Sequence, residues 1–357
     1  MTEGRVSSKP GDIADRKSDH IDIVLRADAH RQESDSADRT GLSAVVFEHC
    51  ALPEIALGEI DLSCEFLGRR LQAPLLISSM TGGPERAARI NTRLAEAAEA
   101  LGIAFAVGSQ RIAIEGRARG GLDHGLRRLA PSVPILANVG AAQLGLGYGV
   151  REVERAVDMI EADALIIHLN PLQEAVQQGG DTDWRGILGR IAELATTLRV
   201  PIVVKEVGAG ISGALARRLV EVGVAAIDVA GAGGTSWAAV EAERASDSRA
   251  RQSALVFSQW GIPTARAIAD VRAACPDALV IGSGGVRNGL DVARALRLGA
   301  DLAGQAAASL QAADSSAEAV AEHFRSVIEE LRIVCFCTGS ADLKALKRAP
   351  LLASPGA

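Results

Sequence analysis

Residues 164–184 read Ala-Leu-Ile-Ile-His-Leu-Asn-Pro-Leu-Gln-Glu-Ala-Val-Gln-Gln-Gly-Gly-Asp-Thr-Asp-Trp. Apart from His168, the first six residues are aliphatic, the composition of a strand buried on both faces. Asn170 precedes Pro171, whose ring disfavours helical geometry at the residue before it, so the strand is expected to run to Asn170 and stop. Side chains two apart on a strand share a face, so His168 and Asn170 point the same way. Gln173 and Glu174 are expected in the loop just beyond. For His168 alone, a satisfied core histidine is the plainer reading; it does not account for the whole cluster.

The same pattern, a short apolar run followed by a longer amphipathic stretch, recurs on both sides of this segment from about residue 74. That alternation signals βα units and a parallel sheet. The upstream runs are 74–79, 103–107 and 134–139; downstream of 164–170 come 201–207, 225–230, 278–282 and 300–304. Eight such units predict an α/β fold, a (β/α)8 TIM barrel, with a doubly wound open sheet as the structural alternative. Between the runs the period is helical: Val153, Ala156, Val157 and Ile160 recur at i, i+3, i+4 and i+7, with Arg151, Glu152, Glu154 and Arg155 opposite. Asn288 is placed to cap the helix after the seventh strand and Gly299 to end it. An extra C-terminal helix, about 315–334, is expected outside the barrel. The chain thus divides into a polar, partly mobile N-terminal arm (1–40), one barrel domain (41–340) and a tail (341–357).

Composition narrows the function. The formal net charge of −6 offers no electrostatic case for nucleic acid or an anionic membrane surface, so any anionic ligand must be held by local groups. Aromatics are 3% of residues, too few for a base-stacking platform. Cys50, Cys64, Cys275, Cys335 and Cys337 show no CxxC or metal-ligand spacing, which points to a reduced, intracellular protein. With no apolar leader and no long apolar run, a cytoplasmic location is expected.

Two long insertions follow strands and therefore lie at the C-terminal face of a barrel, where active sites form. The first is 108–131. The second, about 231–262, opens Gly-Ala-Gly-Gly-Thr-Ser-Trp and continues through a charged run from Glu241 to Arg251, which reads either as a lid or as a solvated loop. The strand ends bring Ser78, Ser79, Met80 and Thr81, Ser109, Gln110 and Arg111, Asn138, His168 and Asn170, Lys205 and Glu206, Thr235, and Gly282, Ser283, Gly284 and Gly285 to one rim. Lys205 stands out because the chain has five lysines and this one sits inside an apolar strand, where an ammonium must find an anion or acceptor. Adjacent strand residues face opposite ways, which weakens a salt bridge to Glu206. The glycine loop at 282–285, with Ala303 and Gly304 at the end of the eighth strand, offers approachable backbone N–H groups where barrels bind phosphate. With Lys205, Asn138 and Thr81 for ring edges, a phosphorylated planar cofactor such as flavin mononucleotide (FMN) fits.

These residues resemble the type 2, FMN-dependent isopentenyl-diphosphate isomerases. The matching segments are Arg16-Lys17-Ser-Asp-His20-Ile, Ser78-Ser-Met-Thr-Gly-Gly83, Gly108-Ser-Gln-Arg111, Ala137-Asn-Val-Gly140 and His168-Leu-Asn-Pro-Leu-Gln-Glu174. Val204-Lys-Glu-Val-Gly208, Gly231-Ala-Gly-Gly-Thr-Ser-Trp237, Trp260-Gly-Ile-Pro-Thr264 and Gly282-Ser-Gly-Gly-Val-Arg287 follow in family order. The resemblance implies interconversion of isopentenyl and dimethylallyl diphosphate, with reduced FMN, NADPH as reductant and Mg2+, in a homo-oligomer. It implies that Ser78, Ser79, Met80, Thr81, Ser109, Asn138, Lys205, Thr235, Gly282, Ser283, Gly284, Gly285, Ala303 and Gly304 hold FMN. Arg16, Lys17, His20, Ser109, Gln110, Arg111, His168 and Asn170 would surround the diphosphate, Arg16 and Lys17 closing over it. Gln173 would face the reacting carbons as the catalytic amide, and Glu174 would ligate the metal. An amide is too weak an acid or base to move a proton unaided, so Gln173 is expected to position or relay, with the flavin as main proton carrier. The run Gly179-Gly180-Asp181 departs from the pattern, standing where the family commonly has Glu-Gly-Asp.

Two other readings differ in class. An FMN-dependent α-hydroxy-acid oxidoreductase uses a histidine base after a barrel strand, and the late loops here contain no histidine. A non-catalytic flavin- or phosphate-binding barrel would not need Gln173, Glu174 or Arg111.

Overall fold

The computed structural model describes residues 19–26, 39–80, 85–116 and 121–352. A two-stranded hairpin, β1 (Cys64–Phe66) and β2 (Arg69–Leu71), comes first. Then follow β3 (Leu75–Ile77), β4 (Ala104–Ala106), β5 (Ile135–Gly140), β6 (Ala164–Leu169), β7 (Ile202–Glu206), β8 (Ala226–Asp228), β9 (Leu279–Ser283) and β10 (Leu302–Gln305). These last eight pair in parallel and close, β10 returning to β3, so the open-sheet alternative is excluded. All eight expected strands are present.

The barrel interior follows from the period of two along each strand. Leu76, Ala104, Ala106, Leu136, Ala164, Ile166, Val203, Ala226, Ile281 and Leu302 form one fully buried inner cluster. Their neighbours Leu75, Phe105, Ile135, Leu165, Ile167, Ile202, Val204, Ile227 and Val280 face outward onto the helices in a second cluster. Phe66 and Leu71 of the hairpin join the inner cluster and close the barrel floor at the end away from the site. The strands of this hairpin are three residues each, too short to show a period of two in the sequence. Its turn, Leu67-Gly68, takes positive φ at both residues (51° and 76°), the geometry that suits a two-residue hairpin.

The helices match their expected caps. Asn288 accepts from the Asp291 amide at 2.9 Å, and Gly299 ends that helix at φ 114°. The extra helix runs Ala317–Cys337, three residues beyond the expected end. The second insertion is no simple solvated loop: it folds into helices Trp237–Arg244 and Ser248–Val256, capped by Ser236 and Asp247. Residues 19–26 are helical, and Ile21, Ile23 and Val24 are buried. Arg86 ties that segment to the body through Asp22, at 2.6 Å.

Candidate active site

One step above the inner apolar layer, the same faces of the strands turn polar. Leu76 gives way to Ser78, Leu136 to Asn138, Ile166 to His168, Val203 to Lys205, Ile281 to Ser283 and Leu302 to Gly304. These six form the floor of a cavity of about 270 Å³ at the C-terminal face.

The floor is ordered by its hydrogen bonds. Asn138 Nδ2 donates to the Val107 carbonyl at 3.1 Å and to Ser79 Oγ at 2.8 Å. A carbonyl only accepts, so the Asn138 amide nitrogen faces it and Oδ1 faces His168 Nδ1, at 2.7 Å. His168 therefore carries its proton on Nδ1, and a neutral ring has its acceptor at Nε2. Lys205 is 8% exposed and donates to the Glu206 carbonyl at 2.6 Å, leaving donors for the cavity. The Glu206 side chain turns away, as alternation requires, and its Oε2 accepts the amides of Val207, Gly208 and Ala209. That carboxylate shapes the loop after β7.

Gln173 and Glu174 do not lie in a loop. Pro171 occupies the first turn of a short helix, Pro171–Val176, where its missing N–H costs nothing and its fixed φ favours helix. The strand accordingly ends at Leu169, and Asn170 occupies the N-cap position, φ −138°, without a side-chain capping bond. Asn170 Nδ2 donates to Glu174 Oε1 at 2.9 Å and to Gln173 Oε1 at 3.3 Å. Glu174 Oε2 accepts from Gln177 at 2.5 Å and from the Asp181 amide at 2.8 Å. A side chain at Gly180 would start 1.9 Å from the Glu174 carbonyl, so only glycine fits this fold of the loop over Glu174.

Glu241, on the insertion helix Trp237–Arg244, is the main residue that sequence reasoning left out. Its Oε1 accepts from Gln173 Nε2 at 2.9 Å and from His20 Nε2 at 3.0 Å, and its Oε2 from Arg244 at 2.9 Å. Burial by itself would raise this carboxyl, but hydrogen bonds from His20 and Gln173 and the charges of His20 and Arg244 outweigh it and hold it at about 2. Because a carboxylate only accepts, the Gln173 amide nitrogen must face Glu241, and its oxygen is left for Asn170 and the cavity. The usable signal was Ser236 as a cap, followed by Glu241 and Arg244 three apart on one helical face. Asp228, buried in the apolar run that forms β8, was also passed over.

Two further regions complete the cavity. At one end Gly284 and Gly285 take φ 101° and 75°; a Cβ at Gly284 would lie 2.2 Å from the Gly231 carbonyl, and one at Gly304 2.5 Å from Ser78 Oγ. The helix Ala307–Ser315 begins here without a side-chain cap, so its first N–H groups and the positive end of its dipole lie at the cavity wall. Ser78 Oγ is buried without a partner among the described residues. At the other end Arg111 lies between Glu115 (3.1 Å) and Asp181 (3.7 Å), near Ser109. His20, Met80, Ser79 and Thr235 also line the cavity.

Three expected residues are placed elsewhere. Gln110 is fully buried, with Nε2 on the Ala156 carbonyl and Oε1 on the Asn138 amide, so it braces the wall and does not reach the cavity. Gly282 packs against Ile268, and Ala303 against the outer layer, because both fall on the outward phase of their strands. Arg16, Lys17 and Thr81 lie outside the described residues.

Comparison with known proteins adds three findings. The FMN-dependent dehydrogenase family model matches residues 168–353. The chain is similar to the isopentenyl-diphosphate delta-isomerase of Stutzerimonas stutzeri, at 63% identity over 95% of this chain and 97% of that one. It is 61% identical to that of Xanthobacter autotrophicus (94% and 96% covered) and 51% identical to that of Nostoc (93% of each). Among solved structures, a mandelate oxidase mutant bearing an FMN adduct superposes with TM-score 0.62 at 17% identity, covering 89% of this chain and 91% of that one. A Pediococcus acidilactici lactate oxidase does so with TM-score 0.61 at 18% identity, covering 88% and 85%. These two likenesses concern the barrel alone.

Proposed function

The chain belongs to the isopentenyl-diphosphate delta-isomerase family, and on that premise we propose how its cavity carries out the isomerisation. The enzyme is an isomerase that interconverts isopentenyl and dimethylallyl diphosphate, and FMN is its flavin. The observation that carries the mechanism is the fixed orientation of Gln173, whose oxygen is turned to the cavity by Glu241 and Asn170.

The glycine cradle at 284–285 and the start of the helix Ala307–Ser315 suit the FMN phosphate, since they offer backbone N–H groups at the cavity wall, and a side chain at either glycine would collide with the neighbouring loop. Lys205, Asn138 and the orphaned Ser78 hydroxyl suit the polar edge of the ring. When bound and reduced, the flavin supplies an electron-rich surface that stabilises developing positive charge and exchanges protons, with no net redox change.

The chain's own residues do the rest. Arg111 and Ser109 at the far rim take the diphosphate, with His168 Nε2 and Asn170 beside it; Arg16 and Lys17 are part of this reading. Gln173, whose amide is too weakly acidic or basic to transfer the proton alone, offers its oxygen to the allylic carbons as positive charge develops and keeps the alkene against the ring. His20, Ile21, Val24 and Trp237 line the same chamber and exclude water from it. Among the described residues no cluster of three metal-ligating side chains exists. The residues fit a Mg2+ that arrives on the diphosphate and takes one carboxylate, Glu174, with waters completing its shell. NADPH as reductant and a homo-oligomeric assembly belong to the same proposal.

Anaerobic incubation of the protein with isopentenyl diphosphate, FMN, NADPH and Mg2+ tests this reading. Dimethylallyl diphosphate should form, and omitting Mg2+ should abolish it. Absence of product while the flavin is bound and reduced would overturn the assignment.

A further inference from the structure

Asp228 ends β8 in register with Lys205 of β7, and the period of two carries it inward above Ala226. It is 0% exposed and does not line the cavity; Lys205 and Ser283, which do, stand between it and the chamber. Ser283 Oγ donates to Asp228 Oδ1 at 2.5 Å, while Oδ2 has no partner among the described residues. The neighbours that face it are the Lys205 ammonium from β7, the Ser283 hydroxyl from β9 and the Ala230 amide of its own loop. A buried carboxyl with one oxygen orphaned destabilises the fold in either protonation state, so its presence calls for a use.

We propose that Asp228 is a positioning residue for the flavin, acting through Lys205 and Ser283: it takes up one proton as the overlying ring gains negative charge on reduction. The proposal rests on the FMN reading above. The balance is two electrons from the reductant (NADPH, or dithionite in the test), one proton to the ring, and one proton from solvent to the Asp228 carboxylate. The ring then carries the negative charge that Asp228 gives up, and the Lys205 ammonium keeps one negative charge in its neighbourhood throughout. Burial pushes the Asp228 carboxyl up and Lys205 pulls it down, burial prevailing, which makes the group a proton acceptor outside the ordinary carboxylate range.

The test is an anaerobic potentiometric titration of the FMN-loaded protein, followed by flavin absorbance at a series of pH values, for the wild type and Asp228→Asn. In the pH window where Asp228 is ionised beside oxidised flavin and protonated beside reduced flavin, bounded by a break at each end, the wild type should take up one more proton per two electrons than the variant. The ratio of reduced to oxidised flavin affinity then changes a further tenfold per pH unit, about 30 mV for a two-electron couple. A merely structural aspartate would alter stability or FMN affinity and leave this stoichiometry alone. Parallel lines for the two proteins overturn the proposal. If Asp228→Asn does not retain flavin, Ser283→Ala decides: loss of the hydrogen bond to Oδ1 should move the wild-type breaks to higher pH, and unmoved breaks overturn it. A wild type that binds no FMN removes the flavin reading and this proposal together, whereas bound FMN with parallel lines removes only the role of Asp228.

Discussion

Glu241 joins three parts of the chain at one carboxylate: the helix bearing Gln173, the insertion helix, and His20 of the N-terminal segment. Replacing it with Gln removes the charge and lets the Gln173 amide turn over. A hydrogen bond to a charged group contributes about 1.5–3 kcal/mol, so Glu241→Gln should lower kcat about tenfold or more, with FMN binding unchanged by absorbance titration. Gln173→Ala should likewise retain FMN and lose turnover; near-normal turnover would contradict its role. The acid sensitivity of this carboxyl has a definite sign. Its folded value, about 2, lies below the ordinary 4.5, so the stability it contributes is present above about 4.5 and is lost as pH falls towards 2. Denaturation of the wild type and Glu241→Gln at stepped pH should show their difference shrinking across that window. In the sequence only the helix was legible, through its Ser236 cap; Glu241 opens a charged run there, and its proposed role depends on contact with residues 68 and 221 positions away.

At the level of elements, the strands and their polar ends were legible because a period of two and a change from aliphatic to polar are written locally. His168, Lys205, Asn138 and Ser283 were found this way. The same rule, applied with its phase, explains Gly282 and Ala303: each lies next to an inward residue and therefore faces out. Gln110 required knowledge of which wall its amide would brace, which no local pattern holds. The glycine cradle gives a sharp prediction. Gly284→Ala places a methyl group against the Gly231 carbonyl at a backbone φ of 101°, so FMN affinity should fall strongly in a fluorescence titration. The hairpin β1–β2 serves stability instead. Phe66→Ala should cost about 3–5 kcal/mol by chemical denaturation, with the flavin spectrum of the folded fraction unchanged.

Over the whole molecule, two matching clasps tie the barrel's other end. Arg127 holds Asp163, which accepts the Ile135 amide of β5; Arg272 holds Asp301, which accepts the Val280 amide of β9. The pairs are four strands apart, so the two halves of the barrel are closed by the same device. The fold is shared with α-hydroxy-acid oxidases at 17–18% identity, yet the chain is an isomerase, and the difference lies in the contents of the loops. The late loops carry no histidine base, and the Pro171–Val176 helix carries an oriented amide and a carboxylate in its stead. The central claim is therefore proton addition and removal on an alkene, without net oxidation. The most direct measurement is anaerobic turnover of isopentenyl diphosphate in deuterium oxide with FMN, reductant and Mg2+, followed by NMR. The account predicts dimethylallyl diphosphate carrying solvent deuterium in its newly formed methyl group; product without solvent deuterium, or no product with reduced flavin bound, would contradict it.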